Sequence, residues 1–202
     1  ALGLMELGGE VMDLPANFVW GSNYNVRLDL LRGVGGFHPS AVPGHLLHFY
    51  GDGEIAPSKA IAEAGHRVIY HPGAAVDHWI PAWRMELPSL ERKFYTAGVA
   101  RSFQFLRQRR EAYELPSKVE VTAIARRYLR DPSVVPDTLC RSIEKGLMAG
   151  IGDHLRHFSE DPAFRDWVLM EDYLDLDTCY THPDLEPGRQ TGGGGDWRAA
   201  ID

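Results

Sequence analysis

Apolar and polar positions change rhythm partway along the chain. From Phe18 to Arg27 (FVWGSNYNVR) they alternate around a Gly-Ser-Asn break, which predicts a strand bent by glycine beside a site. Leu28 to Leu31 reads as a short helix that stops at Arg32-Gly33, and Gly35-Gly36-Phe37-His38-Pro39 as a turn. Residues 40 to 53 hold Pro43, Gly44, Gly51 and Gly53 and read as a loop. Ile55, Ala60, Ile61 and Ala64 then recur at helical spacing, predicting a helix over Ala56 to Ala64 closed by Gly65. Val68-Ile69-Tyr70 and Ala74-Ala75-Val76 read as short strands on either side of His71-Pro72-Gly73. This order of strand, helix, strand, strand predicts an α/β fold for the first half.

After Pro81 the period becomes helical throughout. Ser89 to Arg110, Lys118 to Leu129, Asp137 to His157 and Pro162 to Met170 read as successive helices, with Pro116, Pro132, Pro136 and Pro162 at their borders. Residues 1 to 16 predict no element, and from Asp175 the chain turns polar and runs into Gly192 to Gly195, the composition of a flexible tail or linker. The expected division is an α/β part over 1–87, a helical extension over 88–174 and a tail over 175–202.

Composition adds exclusions more than identities. The 202 residues are 44% hydrophobic and 24% charged, ordinary for a folded globular chain. A formal net charge of −7 argues against general nucleic-acid binding, and only the stretch around Arg101 to Arg110 is locally basic. No apolar run reaches the roughly 20 residues of a membrane span, and the N-terminus lacks a signal-peptide layout, so a soluble, cytoplasmic protein is expected. Cys140 and Cys179 form no metal-ligand or redox spacing, which predicts reduced thiols.

Candidate chemistry centres on HFYGDGEI, residues 48 to 55, where Asp52 and Glu54 stand two apart among glycines. The simplest account makes Asp52 the cap of the following helix and Glu54 an acid at its positive end. Pro57 opposes it, because a helix capped at Asp52 would place a residue without an amide hydrogen inside its second turn. With the helix starting nearer Ile55 or Ala56, both acids lie in a glycine-flanked loop that lets a ligand approach the backbone. His78 ends the Val76-Asp77-His78-Trp79 run, where an imidazole could ligate a metal with Asp77 orienting the ring, although a lone histidine at a strand end is more often a plain surface residue. His154 and His157 stand one helical turn apart and read as a solvated helix face. His38, His45 and His48 match no strong zinc spacing. Asp175-Leu176-Asp177 has the form of a diphosphate-metal element but lies behind all the helices. Phosphate-loop, nucleophile-elbow and dinucleotide-fold glycine motifs are all missing from the sequence.

Taken in order, Gly21-Ser22-Asn23 with Arg27, Val34-Gly35-Gly36-Phe37, Gly51-Asp52-Gly53-Glu54, Ala64-Gly65, Val68-Ile69-Tyr70-His71-Pro72 and Val76-Asp77-His78 resemble the second half of a family 2 glycosyltransferase. Arg84-Met85, Arg92, Gly98 and Ser102, and more loosely Gly146 to Gly150 and Asp161 to Trp167, resemble the segments that follow in some members. The resemblance implies a partial GT-A half-domain with an α-helical extension, acting on a nucleoside-diphosphate sugar and an acceptor that could be glycan, lipid or protein. It further implies Asp52 as general base with Glu54 assisting, and Trp20, Gly21, Asn23 and Gly51 lining the substrate cleft. Arg84 would meet the donor diphosphate, and His78 would ligate Mg²⁺ or Mn²⁺. An inverting transfer needs a carboxylate to take the acceptor proton and a cation to offset leaving-group charge, and it needs no covalent nucleophile.

The nucleotide-binding first half of that family, with its own Asp-x-Asp motif, has no counterpart here, so a truncated chain, inactive by itself, is expected. Peripheral membrane association stays open. Two other readings stand beside the transferase: a metal-dependent hydrolase using the same acids and histidine, and a non-catalytic helical interaction module.

Overall fold

The computed structural model describes residues 7–40, 42–127 and 136–174. Within them the architecture is helical. The elements run β1 (Met12–Asp13), a 3-10 turn (Gly21–Asn23), α1 (Leu28–Gly33), a 3-10 turn (Gly44–Phe49), α2 (Ile55–Glu63), β2 (Ile69–Tyr70), a 3-10 turn (Ala82–Met85), α3 (Leu87–Arg109), α4 (Lys118–Arg127), α5 (Asp137–Glu160) and α6 (Pro162–Leu169). No helix among the described residues is long and apolar enough to cross a membrane.

The expected α/β GT-A half-domain is contradicted. Among the described residues the one sheet is a two-residue antiparallel pairing, Met12 with Tyr70 and Asp13 with Ile69. Phe18 to Arg27 is interrupted by the 3-10 turn, and Ala74 to Val76 pairs with no strand among the described residues. The physical reason is that strand-like alternation makes a sheet only when a neighbour satisfies the backbone and a second layer covers the apolar face. Here Phe18, Ile69 and Val76 are all exposed instead.

The helical half supplies the core. Contacts along α3 and α5 advance together, from Glu91 with Ser142, through Tyr95 with Asp153, to Ser102 with His154, so the two long helices run parallel. Glycine makes that approach close. A Cβ at Gly98 would lie 2.4 Å from the Leu147 carbonyl oxygen, one at Gly146 2.7 Å from that of Glu91, and one at Gly150 2.0 Å from that of Tyr95. α4 closes one side with Val121, Ile124 and Ala125 against Phe94, Ile143 and Leu147. On the other side α6 delivers Phe164, Trp167 and Val168 to Phe103, Leu106, Ile151 and Phe158.

α6 begins where Asp161 accepts hydrogen bonds from the Ala163 and Phe164 amides at 2.9 and 3.2 Å, with Pro162 in the first turn where its missing amide hydrogen costs nothing. Its far end is held by Arg107 of α3, which donates to the Val168 carbonyl at 2.8 Å and to that of Met170. His154 corrects the solvated-face expectation. It is fully buried, with Nδ1 3.0 Å from Ser102 Oγ, and its ring packs edge-on against Phe164. Burial first, and the neighbouring His48 and His157 next, push its pKa down to about 3, so the ring is neutral. The tail at 175–202, including Asp175, Asp177 and Cys179, lies outside the described residues.

Candidate functional site

The acidic loop is built from the helical core outward. The 3-10 turn Gly44–Phe49 inserts Leu46, Leu47 and Phe49 into the core, and the chain then leaves through Tyr50 to Glu54 and enters α2. Gly51 is the crossing point. Its amide donates to the Pro39 carbonyl at 2.5 Å, and a Cβ there would stand 3.2 Å from both the His38 Cβ and the Phe103 ring. Gly53 takes a left-handed φ of 56°, which turns the chain so that Asp52 and Glu54 face different partners.

Asp52 is not a side-chain cap. Its carboxylate Oδ1 lies 2.5 Å from His38 Nδ1, with the two side chains only 6% and 10% exposed. A neutral imidazole protonated on Nδ1 donates in this pair, and a protonated ring makes it an ion pair. His38 itself packs against Phe103 and Tyr173, ring centroids 5.1 and 5.0 Å away. The Gly35-Gly36 turn sets that position. Both residues have positive φ, 81° and 84°, and the Tyr173 amide donates to the Gly35 carbonyl at 2.9 Å. A Cβ on Gly35 would meet the Glu171 carbonyl oxygen at 2.5 Å.

Glu54 reaches the other way. Its Oε1 accepts from the Gly21 amide at 2.7 Å, and its backbone carbonyl accepts from Ser58 Oγ at 2.8 Å. Ser58 Oγ in turn is 2.9 Å from Tyr24 Oη, and Asn23 Nδ2 donates to the Ala74 carbonyl. Burial raises the Tyr50 pKa, and the charges of Glu54 and Asp52 raise it further, so its phenol stays protonated beside the two carboxylates. Of the residues expected at the site, Gly21 is thus tied to Glu54 and Asn23 to Ala74, while Asp52 and Gly51 are tied to His38 and Pro39; Trp20 is half-buried next to Gly21.

His78 and Arg84 do not join them. Both are exposed, and among the described residues no hydrogen bond or ion pair links either to Asp52 or Glu54. No three His, Cys, Asp or Glu side chains cluster as a metal site among the described residues. His78 therefore has no clustered second and third ligand among the described residues. His48, grouped by sequence with His38, instead stacks on His157 at 4.2 Å. The decisive partner, His38, was visible in sequence only as one of three loop histidines. Its position directly after Gly35-Gly36-Phe37 was the available signal. Compared with known proteins, the chain matches no family model, no curated protein and no solved structure.

Proposed function

We propose that this chain contributes the proton-accepting part of a sugar transferase that uses a nucleoside-diphosphate sugar, with Asp52 as the general base toward an acceptor hydroxyl. The single observation behind this reading is the Asp52–His38 pair at 2.5 Å in a glycine-bounded loop. A carboxylate with one oxygen tied to an imidazole is fixed in rotation. Its other oxygen has no hydrogen-bond partner among the described residues. That oxygen can take the acceptor proton as the acceptor oxygen attacks the anomeric carbon and the nucleoside diphosphate departs. Glu54 holds the Gly21 amide and so ties the segment carrying Trp20 and Asn23 to the start of α2.

The experiment is transfer from UDP- and GDP-linked sugars by the full-length protein, read as nucleoside diphosphate released only when acceptor is present. Acceptor-dependent release supports the reading, and its absence across donors and across glycan, lipid and protein acceptors contradicts it. The non-catalytic interaction module keeps a specific observation of its own, the exposed Trp79, Trp83 and Met85 at 81, 60 and 54%. Exposed large apolar side chains this close in sequence are the kind of feature an interaction surface uses. A fully active protein with all three changed to Ser would remove that second reading's support.

A further inference from the structure

The locally basic stretch, Arg101 to Arg110, lies on the last turns of α3 and borders an open cavity between that helix end and α4. The cavity has a volume of about 720 Å³, within the range of small-molecule sites, roughly 300 to 1,000 Å³. Its floor is apolar, with Ile124 and the fully buried Ile151. Its wall is aromatic, Phe105 and Tyr113 with ring centroids 5.4 Å apart.

Two guanidinium groups stand at this wall. Arg101 lies 5.4 Å and Arg109 5.9 Å from the centroid of Phe105. Neither has a carboxylate within ion-pairing distance among the described residues. Their neighbours on the same helix are already employed, Arg107 on the α6 carbonyls and Arg110 on Glu171 at 3.2 Å. Of the two acids on the rim, Glu120 is engaged by the Ser117 amide and hydroxyl, both at 2.8 Å, in a capping box for α4. Glu114 is the other acid of the lining, and neither it nor Glu120 lies within ion-pairing distance of Arg101 or Arg109 among the described residues, so both guanidinium forks keep their donors for a ligand.

We propose that this cavity is a binding site for an amphipathic anion, a single phosphate or carboxylate head carried on an apolar body. Arg101 and Arg109 take the head through their planar donor forks, and the Phe105, Tyr113 and Ile124 surfaces take the body. The site is separate from the Asp52 loop and does not rest on the transferase reading.

Calorimetric titration of the full chain with octyl phosphate and with octanoate tests it, the two probes separating a phosphate from a carboxylate source. Inorganic phosphate and octyltrimethylammonium serve as head-only and opposite-charge controls. Saturable binding of either anionic probe is expected, at least tenfold tighter than both controls. It should fall tenfold or more in Arg101→Gln/Arg109→Gln and stay unchanged in Arg126→Gln, whose side chain is exposed outside the cavity. Amide shifts in the unaltered protein should localise to Phe105, Tyr113 and Ile124, a readout that does not depend on any variant folding. Equal binding of the cationic amphiphile, shifts located elsewhere, or an acidic peptide that binds there when both anionic probes do not would each overturn the proposal.

Discussion

Asp52 and His38 form a buried pair whose value depends on orientation more than on charge. An imidazole packed against Phe103 and Tyr173 and bonded to one carboxylate oxygen restricts how that carboxylate can turn. His38→Ala removes that restriction without removing the acid. Under the transferase reading kcat should fall about tenfold, within the scale of proton-transfer contributions, while KM for the donor stays the same. A rise in donor KM with kcat unchanged would show a packing role instead. His154 makes a second, independent prediction. With a folded pKa of about 3 against 6.5 when exposed, the unfolded chain binds the extra proton, so stability is full above pH 6.5 and is lost as pH falls toward 3. Between pH 7 and pH 5 this group alone should remove about 2 kcal/mol, read from urea unfolding, and His154→Phe should flatten that dependence. His157, also lowered by burial, acts in the same direction.

The parallel crossing of α3 and α5 rests on residues that a helix-propensity argument would replace. Alanine favours a helix over glycine by about 1 kcal/mol, yet a Cβ at Gly150 would sit 2.0 Å from a main-chain oxygen of α3. Gly150→Ala should therefore destabilise, by about 1 to 3 kcal/mol net as the helices are forced apart. Gly152→Ala is the control on the same helix, because its nearest neighbour would be a Leu115 methyl at 3.7 Å, and it should stabilise slightly. Thermal unfolding of the two variants in opposite directions is the expected result. Arg107 ties α3 to the end of α6, and through Tyr173 to the ring of His38. Arg107→Met should cost about 1.5 to 3 kcal/mol, the range for hydrogen bonds to a charged group, and should lower transfer along with stability.

Helices were legible in the sequence because their period, their prolines and their caps agree. The expected Asp137 to His157 appears as Asp137–Glu160, Pro162 to Met170 as Pro162–Leu169, and Pro57 correctly moves the start of α2 to Ile55. Of the expected strands, Val68 to Tyr70 appears as Ile69–Tyr70, while Phe18 to Arg27 does not, because alternation says nothing about whether a partner strand exists to receive it. The acidic loop itself was legible from its glycines and Pro57, while the Asp52–His38 contact was not, because His38 also packs on Tyr173, which lies 121 residues beyond Asp52 and which no local pattern connects to it. For the whole molecule, the proposed role of Asp52 as proton acceptor in a sugar transfer is what transfer activity tests. The direct measurement is transfer by full-length Asp52→Asn, with nucleotide-sugar binding followed in parallel. A loss of about 100- to 10,000-fold in transfer with binding preserved is expected, whereas transfer at the unaltered rate would contradict Asp52 as the base.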